Sequence, residues 1–198
     1  DLDDDGVIGI SISTLTASQY DTNGWLLKKE IDSSGNVKGL YIVNNEEEES
    51  SLISIKDQWG YQVSLDWNSS WGYGSSSSIV QAVEKNTDGT FSLVVKSTNS
   101  YDSSSTSTDW TIYKISSDGT FDWSDSTYTS DIKFYETSLF LDDLNDDGTV
   151  GIDFSELSDI STDTFSETLK YDADNAYYIY TPEGKYLPVI CLLYTSPS

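Results

Sequence analysis

The sequence predicts an all-β fold, an antiparallel meander or sandwich with one short helix that leads into an acidic calcium-type loop. Three observations favour this fold class. Serine, threonine, asparagine, aspartate and glycine are abundant beside 14 tyrosines and 6 tryptophans, a composition typical of short strands joined by polar turns. Apolar and polar residues alternate in several short runs, which glycine-containing turn sequences separate. The apolar share of 36% is enough for a globular core.

Alternation with a period of two predicts half-buried strands. The runs that show it are Val7–Ile12, Trp25–Ile31, Leu52–Ile55, Tyr61–Trp67, Ile79–Val83, Phe91–Val95 and Trp110–Ile115. Between them, Asp32–Gly35, Asn86–Gly89 and Ser116–Gly119 fit hairpin turns, because glycine accepts a positive φ and Asp bonds to its own backbone. The serine runs Ser75–Ser78 and Ser103–Ser107 predict exposed loop tips.

One segment has helical periodicity instead. Between residues 131 and 142, Ile132, Tyr135 and Leu139 are spaced as one face of a helix, and Ser130 is available as its N-cap. The sequence therefore predicts a short helix that enters the second of two acidic loops.

Those two loops indicate an internal repeat. The pattern D-x-[DN]-x-D-G-x-hydrophobic-G begins at residues 1 and 143, and its glycines, Gly6 and Gly148, lie 142 positions apart (148 − 6 = 142). A looser match follows, in which Tyr20 and its neighbours are echoed by Tyr171 and the residues after it. We predict an upstream loop and first strand at 1–12, a tryptophan-rich β domain at 13–142, an acidic loop at 143–153, the start of the next repeat at 154–190, and a non-native tail at 191–198.

The acidic pattern predicts calcium sites. Oxygens at loop positions 1, 3, 5 and 7 can converge on one ion because the glycine at position 6 permits a sharp turn. The predicted ligands are Asp1, Asp3, Asp5 and Val7 in the first copy, and Asp143, Asn145, Asp147, Thr149 and Asp153 in the second. The apolar residue at position 8, Ile8 or Val150, is expected to anchor each loop to the core.

The affinity of these loops is expected to be weak to moderate. An EF-hand would supply a bidentate Glu at position 12, whereas the two copies hold Ile12 and Phe154 there. Such sites suit the millimolar calcium found outside cells. An acidic turn that holds no ion is the alternative.

Three tryptophans, Trp59, Trp67 and Trp71, lie close together in the sequence. Aromatic rings near polar side chains can stack on sugar faces, so these residues are candidate ligand-binding residues of a carbohydrate-binding module. We expect them instead to pack in the core and in hairpins, because tryptophan buries a large apolar area in sheets.

Composition argues against several function classes. The formal net charge is −24, with no histidine, and all 10 basic residues are lysines. Nucleic acid and anionic membranes are therefore poor partners, and no apolar run approaches the ~20 residues of a membrane span. Without histidine, and with Cys191 as the one cysteine, the usual catalytic triads and common zinc sites lack their residues. We expect no enzyme and assign no catalytic residue; part of a secreted glycan hydrolase remains an alternative.

Several segments also resemble a known family. Five segments follow one another in an order that resembles the tryptophan-rich C-terminal domain of cyanobacterial surface and haemolysin-like proteins: Ile55–Trp59, Ile79–Lys85, Thr87–Lys96, Trp110–Gly119 and Tyr135–Gly148. The resemblance implies a secreted, repeat-built, calcium-associated protein, and only the acidic loop positions carry over as functional residues. We therefore expect a non-catalytic calcium-binding module of a structural or adhesive protein, extracellular or on the cell surface. Its expected partners are calcium, neighbouring repeats and surface glycans.

Overall fold

The computed structural model describes residues 16–20, 24–44, 52–101, 105–171 and 177–189, and it confirms the all-β prediction. Within these ranges the chain forms three sheets and one short helical segment. The predicted strand Val7–Ile12 lies outside the described residues, as does the tail at 191–198. No helix in the described ranges has the length and apolarity needed to cross a membrane.

The first sheet is an antiparallel meander of four strands in chain order. Its strands are β1 (Thr16–Tyr20), β2 (Trp25–Ile31), β3 (Val37–Asn44) and β4 (Ile53–Ser54). The predicted strand Trp25–Ile31 is confirmed with the same bounds. Leu27 and Ile42, which pair across β2 and β3, are both fully buried, so this row of the sheet faces the core.

The second sheet has six strands in the order β5-β10-β9-β8-β7-β6. They are β5 (Lys56–Asp57), β6 (Trp67–Trp71), β7 (Gly74–Lys85), β8 (Phe91–Tyr101), β9 (Ser105–Ile115) and β10 (Thr120–Thr129). All neighbours are antiparallel except β5 and β10, which are parallel. The chain crosses between the sheets at Ile55: its N–H donates to Leu40 in the first sheet, whereas the next N–H, of Lys56, donates to Gly119 at the start of β10.

The main core lies between these two sheets, as a sandwich requires. It contains Leu27, Leu40 and Ile42 from the first sheet, Ile55, Val63 and Leu65 from the connection, and Val80, Val83, Phe91, Leu93, Val95, Ile115 and Phe121 from the second. One ion pair is nearly buried beside it. The ammonium of Lys29 in β2 contacts the Asp66 carboxylate and donates to the Val80 carbonyl at 3.0 Å, and Asp66 accepts the Val80 N–H at 2.6 Å.

The other face of the second sheet is covered by the helix. A smaller cluster there contains Ala82, Val94, Trp110, Ile112, Ile132, Phe140 and Leu144. The predicted helix is confirmed as α1 (Lys133–Tyr135), which continues as a π-helical turn over Glu136–Phe140. Ser130 is not its N-cap, because the helix begins two residues later: Ile132 occupies the N-cap, and the Asp131 carboxylate accepts the Lys133 N–H at 3.1 Å.

Two further predictions were wrong. Residues 61–66 form no ladder apart from a bridge between Gln62 and Lys56; the alternation of Val63 and Leu65 reflects burial against the core rather than strand pairing. The run Ser75–Ser78 is not a loop tip but lies within β7, where it pairs with β6 on one side and β8 on the other.

The three predicted hairpin turns share one geometry. In each, the N–H of the first residue donates to the carbonyl of the fifth, and the N–H of the fourth donates back to the first. The fourth residue has a positive φ, as in Gly35 and Gly89, which matches a type I turn followed by a bulge residue. The same pair of bonds closes the turns at 57–61, 163–167 and 181–185.

A third sheet follows the acidic loop and repeats the first. Its strands are β11 (Ser158–Thr162), β12 (Thr168–Tyr171), β13 (Tyr177–Tyr180) and β14 (Tyr186–Pro188), again antiparallel in chain order. Thr16 pairs with Lys29 in the first sheet, and Ser158 pairs with Tyr171 in the third, at the same 142-residue offset as the acidic loops. The bulges of the two hairpins also correspond, between Ala17 and Gln19 and between Asp159 and Ser161. This register aligns Tyr20 with Thr162 and replaces the looser match to Tyr171.

Candidate metal centre

The second acidic loop begins where the helix ends. Leu141 stops the helix in the left-handed region with φ of 53°, and its N–H donates to the Glu136 carbonyl at 2.7 Å. The chain then turns back across the end of the helix. Leu144, at the second position of the loop, is 1% exposed and belongs to the cluster under the second sheet.

A buried carboxylate fixes the shape of the loop from inside. The Glu136 side chain is fully buried; one of its oxygens accepts the N–H groups of Leu144 and Asn145 at 2.8 and 2.9 Å, and the other accepts that of Gly151 at 2.9 Å. Burial raises the pKa of Glu136, although the three N–H donors act in the opposite direction. One side chain therefore ties both ends of the loop together.

Three polar side chains converge inside the loop. Asp143 accepts the N–H of Asp147 at 3.2 Å with one oxygen and that of Gly148 at 2.9 Å with the other. The Asn145 amide oxygen accepts the same Asp147 N–H at 2.9 Å, and Asp147 accepts the Thr149 N–H at 2.8 Å. The Asn145 amide N–H also donates to Asp147 at 2.9 Å. The side chains at positions 1, 3 and 5 therefore all bond within one short turn, between Asp143 and Thr149.

Polar contacts hold the loop against the second sheet. The Gln81 amide donates to the Leu144 carbonyl at 2.9 Å, and its oxygen accepts the Trp110 indole N–H at 3.0 Å. Lys96 of β8 pairs with Asp146 at 2.8 Å. The Asp146 side chain is 77% exposed and carries this ion pair at the surface of the loop.

Gly151 has no substitute at its position. Its φ is 81°, and a Cβ there would overlap the Thr137 hydroxyl and lie 3.3 Å from the Lys133 carbonyl. Because the loop passes this close to the helix, only glycine allows the Gly151 N–H to reach Glu136.

The remaining predicted residues have different outcomes. Val150 is 47% exposed and does not anchor the loop; Leu144 does so, because the turn at Gly148 directs position 8 outward. The Asp153 carboxylate accepts the hydroxyl and N–H of Ser155 at 2.6 and 2.9 Å, which lowers its pKa, so it stabilises a turn of its own. The carbonyl of Thr149 remains a predicted ligand. Asp1, Asp3, Asp5 and Val7 lie outside the described residues.

The donor set of the loop fits a hard cation. Within the described ranges, no group of three or more His, Cys, Asp or Glu side chains is placed to hold a metal ion. The set consists instead of two carboxylates and one amide, with all ligands oxygen, which suits calcium rather than zinc. Each side-chain oxygen that accepts an N–H keeps a further lone pair for an ion. A neighbouring cleft of about 380 Å³ also contains Asp131 beside Asn145 and Asp147.

Sequence reasoning missed Glu136, although a signal was present. Ile132, Glu136 and Phe140 are spaced four residues apart, so they lie on one helical face, and the two apolar members are buried. A carboxylate in the middle of a buried stripe, just upstream of an acidic loop, needs hydrogen-bond donors. The loop backbone is the nearest source of such donors in the sequence.

The three candidate tryptophans are not in the core, contrary to expectation, although Trp71 packs over Gly74 in the β6–β7 hairpin. Trp59, Trp67 and Trp71 are 66%, 50% and 45% exposed. Trp59 lies in the turn after β5, whereas Trp67 and Trp71 lie on β6 at the opposite edge of the six-stranded sheet. Five strand spacings separate those edges, roughly 24 Å. The structure therefore brings Trp67 and Trp71 together and leaves Trp59 apart.

The chain matches no family model, and neither a curated protein nor a solved structure shows significant similarity to it.

Proposed function

We propose that this chain is a non-catalytic calcium-binding repeat module of a secreted structural or adhesive protein. The observation that carries the proposal is the convergence of Asp143, Asn145 and Asp147 in a loop that Glu136 holds in shape. Uncompensated carboxylates repel one another, and a divalent cation with oxygen ligands relieves that repulsion.

The repeat supports the same proposal. The acidic motif and the hairpin that follows it recur together at an offset of 142 residues, so each unit pairs one loop with one four-stranded sheet. An ion in the loop at residues 143–151 would stiffen the connection between the helix of one unit and the sheet of the next. A role in holding an extended extracellular chain follows from that position.

Thermal melting and calorimetric titration with calcium test the proposal. Binding to the folded state alone adds about 1.4 kcal/mol of stability at ten times the dissociation constant. We expect Tm to rise at millimolar calcium and to return when a chelator is added. Asp147→Ala should abolish most of the rise, because it removes the position 5 oxygens.

The net charge of −24 calls for a matched control, since any cation screens repulsion. Asp88→Ala removes the same charge from a hairpin turn, where Asp88 bonds to Thr90 and Lys114, and it should keep the calcium-dependent rise. Sodium chloride of equal ionic strength should not reproduce it. An equal loss of the rise in both variants would show diffuse screening and reject a defined site.

A further inference from the structure

Within the described ranges, one end of the six-stranded sheet carries an exposed aromatic row. Trp67 and Trp71 lie on the edge strand β6, opposite Ser78 and Gly74 of β7. Because side chains alternate along a strand, the two indoles stand on the same face, roughly 13 Å apart. Val80, which is buried in the main core, points to the same face. The two indoles therefore extend the core-facing side of the six-stranded sheet beyond its buried residues.

The Trp71 ring is held against the sheet. A Cβ at Gly74 would lie 3.2 and 3.3 Å from Cζ2 and Cε2 of the indole, so the ring rests over the one residue of β7 that leaves room for it. Tyr101, which pairs with Gly74 across β7 and β8, contacts the same indole with ring centroids 6.3 Å apart. One side of the ring packs on the sheet, and the Trp71 side chain is still 45% exposed. The other side of the ring can therefore stack on a ligand.

The Trp67 end of the row opens into a cleft of about 430 Å³. Its lining includes Asn36, Ser64 and Ser78, together with Trp67. Farther along the row, the Ser76 hydroxyl and Asn99 bond at 2.6 Å between the aromatic positions. Aromatic faces combined with neutral donors and acceptors suit a ligand that has apolar C–H faces and many hydroxyls.

The charge of the cleft and of the chain restricts the class of ligand further. Asp66 is the one acid that lines the cleft within the described residues, and Lys29 and the Val80 N–H already occupy its carboxylate. The cleft therefore presents almost no net charge, while the chain as a whole, at −24, repels anions. An uncharged ligand fits both conditions.

We propose that this face binds a neutral polysaccharide, with sugar rings stacked on Trp67 and Trp71 and one ring seated in the cleft. The proposal stands on the described side chains of β6–β8 and does not depend on the calcium loop. Trp59 has no part in it, because it lies at the opposite edge of the sheet.

Affinity electrophoresis tests this binding. The chain is run in native gels that contain dextran, glucomannan, xyloglucan or hydroxyethylcellulose, with alginate as the anionic comparison. We expect at least one neutral polymer to retard the protein and alginate to leave it unretarded. Trp67→Ala and Trp71→Ala should each weaken retardation at least tenfold, whereas Trp59→Ala, which removes a more exposed indole, should leave it unchanged.

Three results would overturn the proposal. One is that none of the four neutral polymers retards the wild-type chain. Another is that Trp59→Ala weakens binding as much as Trp67→Ala while circular dichroism shows all variants folded. The third is that size-exclusion chromatography shows a dimer that Trp67→Ala and Trp71→Ala convert to a monomer, because a second copy would then cover this edge. Running the gels with calcium and with chelator separates this test from that of the acidic loop.

Discussion

The four-stranded sheets before and after the helix and acidic loop share one pattern but differ in what covers them. Lys28 pairs with Tyr41 in the first sheet, and Lys170 pairs with Tyr178 in the third. The next cross-strand row runs Leu27–Ile42–Ile53 in the first and Leu169–Ile179–Leu187 in the third. The apolar row is thus repeated in register, strand for strand.

Burial separates the two rows. Leu27 and Ile42 are fully buried under the six-stranded sheet, whereas Leu187 is 50% exposed and Leu169 is only half-buried. Leu169 and Ile179 line a shallow cleft of about 260 Å³ instead of a core. Strand register is therefore set within the hairpins. The contribution of the apolar row to stability depends instead on whether a second sheet packs against it.

This difference in burial should have its largest effect on the free energy of unfolding when the two equivalent leucines are substituted. Leu27→Ala should lower the free energy of unfolding by about 3–5 kcal/mol, because it opens a cavity in a closed core. Leu169→Ala, at the same position of the repeat, should cost under about 1 kcal/mol. Urea unfolding followed by native-state hydrogen exchange of the β2 and β12 amides measures both.

Each leucine variant is the control for the other, since the chemical change and the register are the same. An equally large loss from Leu169→Ala would contradict the comparison. It would mean that a partner covers the row of the third sheet in solution.

A smaller effect is expected from the residue that connects the two regions. Glu136→Ala leaves the N–H groups of Leu144, Asn145 and Gly151 without their acceptor, and unsatisfied buried donors cost ~1–3 kcal/mol each. Removing a buried carboxylate also recovers part of its desolvation. We therefore expect the free energy of unfolding to fall by about 2–3 kcal/mol. Hydrogen exchange should become faster at the loop amides and stay slow in β12.

The pH dependence distinguishes this role from simple packing. Burial raises the folded-state pKa of Glu136 above the ordinary value of a glutamate, so its contribution to stability increases as the pH falls through that raised pKa. The difference in unfolding free energy between wild type and Glu136→Ala should grow on acidification over that window. If the difference shrinks over that pH range, the site stabilises the charged form of the carboxylate instead of destabilising it.

Much of the fold follows from local sequence, and the remainder depends on distant contacts. The strand Trp25–Ile31 and the turn Asn86–Gly89 were predictable because alternation and a glycine with positive φ are local signals. Exposure of Trp67 was not, since it depends on which sheet faces reach a partner, and the only local signal for burial of Glu136 is its helical spacing with Ile132 and Phe140. The segment 61–66 shows the limit most clearly: its alternation reports burial against the core, and nothing local reveals the missing strand partner.

The position of the acidic loop could be predicted from the sequence, but the contacts that hold the loop in shape could not. Spacing alone indicated Asp143, Asn145 and Asp147, because a turn of this length gathers alternate side chains. The Gln81 contact and the Lys96–Asp146 ion pair come from segments far away in the chain, and the Glu136 carboxylate comes from the helix before the loop. Those contacts decide whether the loop keeps its shape, and no single-segment pattern contains them.

The smallest expected effect is at the first turn of each repeat. Gly24 and Ser166 occupy the same position at the 142-residue offset, and both have a positive φ, of 82° and 67°. A left-handed backbone is strained for serine and not for glycine. Ser166→Gly should therefore stabilise the hairpin of β11 and β12 by about 0.5–1 kcal/mol, and Gly24→Ser should destabilise that of β1 and β2 by a similar amount, both measured by hydrogen exchange in the strand amides. If both substitutions destabilise, the serine makes a compensating contact, and the positive φ at the two positions has a different energetic cost.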